Sequence, residues 1–161
     1  MDRDTLLAGL DFARTRLLNT LDAIEKSGQD MGKVLAWRPG PGRAHIGWQA
    51  MHCAATHDKY LNVYLKSAKP RDEARIATFG GGSQPSDQQV PDLSSIRSAL
   101  EAEFQPLREY VRGLQPEDFG RKLSNGRTVG ESILLLAWHE AHHQGQIHLT
   151  WNLYKQFHGV A

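Results

Sequence analysis

Residues 128–159 read TVGESILLLAWHEAHHQGQIHLTWNLYKQFHG and predict one long helix. At its start, Thr128 and Glu131 have the spacing of a capping box, in which each side chain accepts a hydrogen bond from the other residue's free backbone N–H. Gly159 is typical of the position at which a helix ends. The segment also holds five of the chain's eight histidines, the side chain that most often binds metal ions in proteins.

Three further segments carry apolar residues at the three- and four-residue spacing of a helix face. They run from about Thr5 to Ser27, from about His45 to Lys66, and from just after Asp92 to Gly113. The segment Ala36 to Arg43, with two prolines and flexible glycines, is predicted to be a loop. Four helices with no alternating strand pattern and no internal repeat predict an all-α protein. We expect a four-helix bundle that forms a single domain over residues 1–161.

The segment between the second and third predicted helices, Ser67 to Pro91, shows no periodicity and contains three consecutive glycines at 80–82. Loops of this length without secondary structure are uncommon in compact domains, so this one is expected to have a structural or functional purpose. If helices two and three are parallel neighbours, the segment is a long crossover loop that runs back along a whole helix of roughly 30 Å. A lid over a site would be an equally good use.

Composition limits the partners and the location. Nineteen lysines and arginines balance eighteen acidic residues, and no stretch concentrates the basic ones, so no nucleic-acid partner is expected. Cys53 is the single cysteine and has no internal disulfide partner, which favours the cytoplasm. The N-terminus lacks the apolar run of a secretory signal. The longest apolar run, Ile133 to Trp138, is far shorter than the roughly 20 residues of a membrane span, so no membrane association is expected.

The histidines predict a metal site. His139 and His143 are four residues apart, so they differ by only about 40° around the helix and can bind the same ion. Both lie in the apolar stripe that should face the bundle interior. On the second helix, His52 lies on the inward stripe, whereas His57 is about 140° around from it and His45 is roughly 10 Å away. We therefore predict a divalent-metal site with His52, His139 and His143, three protein ligands and an open fourth position.

Residues 139–143 also match the HExxH pattern of zinc peptidases, in which the glutamate acts as general base. The extended peptidase pattern fails, because positions 146 and 149 are glutamine and leucine. An all-helical chain also lacks the edge strand along which a peptide could lie, so peptidase activity is not expected. Glu140 sits about 100° around from His139, which leaves it either a proton shuttle or a structural role.

Other side chains near the proposed ligands are candidates for shaping a pocket. Gln49 and Gln146 are each three positions from a proposed ligand, a spacing that would let them orient it. Trp48 offers an apolar surface beside them. We expect the walls of this pocket to be formed by the loop from Trp37 to Arg43 and by the glycine-rich segment.

Two segments carry a family resemblance. The first is Ile46-Gly47-Trp48-Gln49-Ala50-Met51-His52, and the second is WHEAHHQGQI at residues 138–147. They resemble the second-helix segment and the fourth-helix signature of the DinB-like (DinB/YfiT) family of metal-dependent enzymes. The resemblance implies an up-down-down-up bundle, metal ligands at His52, His139 and His143, and a homodimer. Many members carry an acidic residue a few positions after the first metal histidine, and here that place reads Thr56-His57-Asp58.

Relatives of that family include thiol-dependent S-transferases and isomerases, so the resemblance implies a small-molecule substrate. The expected function is a metal-dependent hydrolase or an S-transferase that uses a low-molecular-weight thiol, with the ion as Lewis acid. Zinc is the first choice of metal, with nickel, copper, iron and manganese as alternatives. A non-catalytic metal-binding or stress-response protein, and an interaction module without metal, stay open. Trp151, Tyr154 and Phe157 offer an aromatic patch for the implied homodimer.

Overall fold

The structure, a computed structural model, describes residues 2–160, and over that range it is all-helical. Six α-helices follow one another in this part of the chain: α1 (Arg3–Lys26), α2 (Met31–Ala36), α3 (Ile46–Asp58), α4 (Glu73–Phe79), α5 (Leu93–Gly113) and α6 (Val129–His158). A π-helical segment, Lys59–Leu65, continues α3, and a short 3₁₀ turn, Pro116–Gly120, follows α5. Within residues 2–160, no helix combines the length and the apolar character that crossing a membrane requires.

Local sequence explains where the long helices begin and end. The Thr128–Glu131 capping box is present at the start of α6, and Gly159 ends that helix with a left-handed backbone, φ 65°. At the start of α3, the Nδ1 of His45 accepts a hydrogen bond from the backbone N–H of Trp48 at 3.0 Å. His45 therefore caps the helix and belongs to its start rather than to the metal site.

The second predicted helix, His45 to Lys66, is present, while other predictions about local structure differ from the structure. This helix is α-helical over Ile46–Asp58 and continues as π-helical turns over Lys59–Leu65. The short helices α2 and α4 were missed, because six or seven residues are too few to show a helical period. Helix α4 lies inside the Ser67–Pro91 segment, so that connection is not one structureless loop. Of the expected aromatic patch, Trp151 and Tyr154 are buried, each only 5% exposed, and Phe157 alone of the three is exposed.

Contacts between side chains give the directions of α1, α3 and α6. Gly9 lies against Ala137 at 3.8 Å, and Gln144 donates a hydrogen bond to Thr20 at 2.9 Å, so α1 and α6 run in the same direction. His57 lies 3.2 Å from the carboxylate of Glu140, whereas His52 lies beside His143. Helix α3 therefore runs opposite to α6.

Helix α5 runs parallel to α3 and opposite to α1. Met51 and Ala99 line the same surface cavity, and further along both elements Tyr110 donates a hydrogen bond to the carbonyl of Leu65. Arg97 pairs with Asp22 at 2.6 Å, while Arg108 pairs with the earlier residue Asp11 at 2.7 Å. The chain reverses between α3 and α5 through the segment that contains α4.

Two apolar clusters fill the interior, and a layer of polar side chains separates them. One cluster includes Leu17, Leu21, Ile24, Ile46, Ile96, Leu100, Ile147 and Trp151, and the other includes Leu6, Leu10, Leu61, Phe104, Leu107, Ile133 and Leu136. Burying each large side chain contributes roughly 1.5–3 kcal/mol, so these clusters supply most of the stability. The polar layer lies near the middle of the long helices, and it contains the proposed metal ligands.

Buried carboxylates hold α4 against the bundle. Both oxygens of the fully buried Asp58 accept backbone N–H bonds, from Arg71 at 2.8 Å and from Asp72 at 2.9 Å. Arg75, on α4, pairs with the fully buried Glu103 on α5. These contacts pin the beginning of the α4 segment to α3 and α5, and they determine where its other end, Phe79, comes to lie.

Candidate metal centre

The structure brings His52, His139 and His143 together in the polar layer between α3 and α6. One ring nitrogen from each residue lies within 4.8 Å of those from the other two. The Nε2 atoms of His52 and His139 are 3.0 Å apart. Two nitrogens on one tetrahedral zinc ion, at roughly 2.0–2.1 Å each, lie about 3.3 Å apart, so the observed spacing is close to that of a ligand pair.

The backbone of α4 orients His52. Its Nδ1 lies 2.5 Å from the carbonyl oxygen of Phe79, the last residue of α4, and must carry the proton that this carbonyl accepts. The Nε2 of His52 is then unprotonated, and its lone pair faces the other two histidines. Trp48 stacks on the same ring, with centroids 4.7 Å apart and planes within 9°. A hydrogen-bonded carbonyl of this kind is the usual partner of a metal-binding histidine.

His139 and His143 are held in the neutral form. Burial is the first cause and the neighbouring histidines are the second, and together they lower the pKa of each ring to about 3. Burial also lowers the pKa of His52. A neutral imidazole is the form that binds metal ions. The three rings therefore present uncharged nitrogen donors to one another at neutral pH.

Two nitrogens at this site lack partners. The Nδ1 atoms of His139 and His143 are buried, and within residues 2–160 neither forms a hydrogen bond. Unpaired buried polar atoms are costly, and clustered imidazoles without an ion would leave several lone pairs unsatisfied. The chemistry of the donor set and its spacing both fit a divalent ion.

Glu140 takes the structural role that the sequence left open. It is 1% exposed, and its carboxylate accepts two hydrogen bonds from Arg14, at 2.5 and 3.0 Å. Arg14 also donates to the carbonyl of Leu100 and lies 4.2 Å from the ring of Phe104. The HExxH match therefore joins α1, α5 and α6 through Arg14 and does not direct a general base at the histidines.

His57 belongs to the same buried ion pair. Its Nδ1 lies 3.4 Å from Arg14 and can accept a hydrogen bond from it, whereas its Nε2 lies 3.2 Å from the carboxylate of Glu140 but forms no hydrogen bond within the described residues. Burial, and then the charge of Arg14, lower the pKa of His57 well below its usual value. His57 is therefore a neutral interior residue outside the three-histidine group, as its position on the helix indicated.

Each of the two glutamines has a hydrogen-bond partner outside the group of three histidines. Gln146 forms its hydrogen bond with the neighbouring His142, at 2.9 Å. Gln49 donates to the carbonyl of Ala44 at 3.2 Å, and among the described residues no group donates to its buried Oε1. Because the carbonyl of Ala44 can only accept, this bond also establishes which amide atom is the oxygen.

A cleft lies beside the histidines. It has a volume of about 560 Å³ and is lined by Pro39, Gly42, Arg43, Ala44, Gln49, Gln146, Leu149, Thr150 and Leu153. Gln49 and Gln146 are three residues from His52 and His143, so the lining of the cleft begins roughly one helical turn, about 5 Å along each helix, from these two histidines. Part of the predicted Trp37–Arg43 loop does form its wall. The Phe79 carbonyl was missed, because no side-chain pattern marks a backbone acceptor.

Fold and site together define a helical protein in which three interior histidines have the arrangement of a divalent-metal site. The chain belongs to the DinB superfamily, whose family model matches residues 9–147. It also resembles a solved structure described as the conserved protein of locus from Enterococcus faecalis, with a TM-score of 0.74 and 16% identity over 95% of this chain and 97% of that one. At that identity the likeness shows the fold alone. No curated protein matches the chain.

Proposed function

We propose that this protein is a metal-dependent enzyme that acts on a small molecule, with a low-molecular-weight thiol as its nucleophile. The observation that carries the proposal is the set of three neutral imidazoles beside an open cleft. Membership of the DinB superfamily supports it, since metal-dependent enzymes are frequent there. His52, His139 and His143 would hold the ion, with zinc as first choice and nickel, iron or manganese as alternatives.

A divalent ion held by these residues would supply Lewis acidity that lowers the pKa of a nucleophile. The protein offers no obvious general base to deprotonate the nucleophile, because the buried carboxylate of Glu140 is already paired with Arg14. A thiol starts from a pKa of about 8.5, whereas water starts from about 15.7, so a thiol needs far less activation. This difference favours thiol transfer over hydrolysis.

The cleft offers suitable contacts for such a substrate. The unpartnered Oε1 of Gln49 can accept an N–H from an amide or amine. Arg43 lies at the exposed edge and, among the ion pairs formed by residues 2–160, it has none, so it can bind a carboxylate. Leu149 and Leu153 provide an apolar wall. The site thus suits an anionic, amide-bearing thiol of small size.

The first test is the metal content of the purified protein, measured by elemental mass spectrometry. We expect about one ion per chain in the wild type, and its loss in His52→Ala, His139→Ala and His143→Ala. His148→Ala is the matched control, because His148 is exposed on the same helix. An unchanged metal content in the three variants would remove the site assignment.

The second test addresses catalysis. Zinc-loaded protein is assayed with small thiols and an electrophilic aryl halide, and separately with an activated ester. We expect turnover of the first pair that is lost in His139→Ala and retained in His148→Ala. Ester turnover alone would instead indicate a hydrolase, and bound metal without turnover in either assay would favour the non-catalytic metal-binding alternative.

Two further properties belong to this proposal. We infer an up-down-down-up order for the four long helices, supported by the contact pairs that set α1 with α6 and α3 with α5 in common directions. We also propose a cytoplasmic location. The support is that Cys53, the single cysteine, is buried and its thiol pKa is raised by that burial, as in a residue used for packing rather than disulfide formation.

A further inference from the structure

A second cavity lies at the end of the bundle, bordered by α2 and by the last turns of α6. Its volume of about 610 Å³ falls in the range of small-molecule sites, roughly 300–1,000 Å³. We call it the end cavity, and its lining consists of Gln29, Asp30, Lys33, Ala36, Trp37, Tyr154, His158 and Val160. Tyr154 follows His143 by eleven residues, about 16 Å along α6, so the end cavity is separate from the three-histidine group.

Three aromatic rings border the end cavity. The ring centroid of Trp37 lies 5.8 Å from that of Tyr154, with the planes at 88°, and 6.4 Å from that of His158, with the planes at 70°. The rings of Tyr154 and His158 are 4.3 Å apart, and their planes meet at 39°. Rings inclined to one another in this way form a corner rather than a flat stack. Any ring face that turns to the cavity presents the negative side of its quadrupole.

No lysine or arginine of the described chain covers these three rings. The basic side chains that do lie over aromatic rings in residues 2–160 lie over other rings, as Lys155 does over Trp151 at 5.8 Å. A cation over an aromatic face is attracted by the negative charge of that face. Within the described residues, the rings of the end cavity therefore remain available to a cation from outside the chain.

The charges around the end cavity also favour a positive ligand. Helix α6 ends here at His158, and the last carbonyls of a helix together carry about half a negative charge. Asp30 caps α2 with its Oδ1, which accepts a hydrogen bond from the backbone N–H of Lys33 at 3.3 Å. Its Oδ2 lies 3.8 Å from the ammonium of Lys33, whose side chain is 77% exposed. Exposed pairs of this kind are weak, so a bound cation can displace Lys33 from the carboxylate.

The mixture of rings, apolar groups and one carboxylate indicates which kind of cation fits. A primary ammonium carries three N–H donors that need acceptors once they leave water, whereas a quaternary ammonium carries none. Aromatic faces attract a cation without hydrogen bonds, and they are the usual means of recognising quaternary ammonium groups. Ala36 and Val160 add apolar contacts for methyl groups. The lining therefore suits a methylated ammonium better than a primary one.

We propose that the end cavity binds a methylated ammonium group, with Trp37, Tyr154 and His158 as aromatic walls and Asp30 as the counter-charge. The site is separate from the metal centre and does not rest on the proposed function. Free small molecules and trimethylated lysine side chains both present this group. Their relative affinities distinguish the two sources, because only the lysine brings a peptide backbone that can contact the surface around the cavity.

Titration of the metal-loaded protein with choline, followed by NMR of the choline N-methyl protons, tests the proposal. Aromatic rings shift protons above their faces upfield, so we expect a saturable upfield shift at about pH 8, where an imidazole is ordinarily neutral and does not repel a cation. The neutral analogue 3,3-dimethylbutanol has the same shape without the charge. It should bind at least about tenfold more weakly, because the attraction to the ring faces is electrostatic.

A short peptide with one trimethylated lysine is titrated in parallel, with its unmethylated form as reference. Tighter binding of the methylated peptide than of choline would identify a protein side chain as the source of the group. Tighter binding of choline would identify a free small molecule.

Variants of the lining should change the affinity for choline in opposite directions. Trp37→Leu should weaken binding at least about tenfold, whereas Trp37→Phe, which keeps a ring, should retain most of it. Asp30→Asn keeps a residue that caps helices but removes the charge, so binding should weaken about two- to fivefold. Lys33→Met removes the competing ammonium and should strengthen binding about twofold. The changes at Asp30 and Lys33 concern exposed side chains, so they test the site even if Trp37→Leu disturbs the fold.

Phe157→Ala is the matched control. This ring is 75% exposed and lies near Trp37, but it does not line the end cavity, so its removal should leave choline binding unchanged. Three results would overturn the proposal: equal binding of choline and its neutral analogue, an affinity that Trp37→Leu leaves unchanged in a folded protein, or weaker choline binding in Lys33→Met.

Discussion

At the scale of single residues, environment separates the histidines of this chain into different roles. His45 caps a helix, His57 is neutral inside a buried ion pair, and His52 meets two others with its lone pair free. The relevant differences are the partner on each ring nitrogen and the charge nearby. The position of each histidine on its helix face indicated which histidines could bind a metal ion together. The hydrogen-bond partners of each ring then established its role.

The buried ion pair leads to a prediction about stability. Glu140→Gln keeps the shape of the side chain but leaves the buried guanidinium of Arg14 without a counter-charge, so we expect a loss of about 3–5 kcal/mol in the free energy of unfolding. The folded fraction should still bind one metal ion per chain, because Glu140 does not face the three histidines. Urea denaturation and metal analysis of the same samples measure both quantities.

Glu109→Gln is the control for this change. Glu109 pairs with Arg112 at the surface, where such pairs contribute about 0–1 kcal/mol, so the free energy of unfolding should hardly change. If Glu140→Gln kept full stability and lost only turnover, Glu140 would belong to the catalytic machinery instead.

At the scale of elements, the short helix α4 connects the crossover segment to the site. Asp58 and Glu103 fasten the start of this segment, and Phe79 at its end accepts the hydrogen bond from His52. A segment that looked like a linker in sequence thereby determines the orientation of one proposed metal ligand. The group that accepts the hydrogen bond from His52 is a backbone carbonyl, which every amino acid carries.

This arrangement predicts that Asp58 affects metal affinity from a distance. Asp58→Asn replaces one acceptor oxygen with an N–H₂ group that cannot accept from Arg71 or Asp72, so the α4 segment should loosen and His52 should lose its fixed orientation. We expect metal affinity to fall about 10–100-fold, with helical content unchanged. Competition with a chelator that reports free zinc measures the affinity.

Asp22→Asn is the matched control, since Asp22 pairs with Arg97 on the far side of the bundle and should leave the metal affinity unchanged. Equal affinities for wild type, Asp58→Asn and Asp22→Asn would show that the α4 segment does not position His52.

At the scale of the whole molecule, two apolar clusters lie on either side of the polar layer that contains the three histidines. Each cluster draws residues from α1, α3 or its π-helical extension, α5 and α6, so each ties the four long helices together. Most of the buried apolar area lies in these clusters. The proposed metal site therefore lies in a polar layer between two packed apolar clusters.

We accordingly predict that removing the metal leaves the fold intact. An ion present at about 100–1,000 times its dissociation constant stabilises the folded state by roughly 2.7–4.1 kcal/mol. Chelation should therefore lower the melting temperature by roughly 5–15 °C and leave the circular dichroism at 25 °C unchanged. Loss of helical signal on chelation would instead mark the ion as structural, because its binding free energy would then be folding free energy.

Much of this protein can be predicted from its sequence, because the information is local or periodic. Capping residues and the spacing of apolar side chains predicted the long helices, and the four-residue spacing of His139 and His143 predicted that they share a face. Only the tertiary structure shows that Arg14 pairs with the carboxylate of Glu140 and that α4 forms. It also shows that the carbonyl of Phe79 accepts a hydrogen bond from His52. It also decided that Trp151 is buried while Trp138 is exposed. The physical reason is that pairing between distant groups depends on how helices pack, and a backbone carbonyl or a short helix leaves no periodic mark in the sequence.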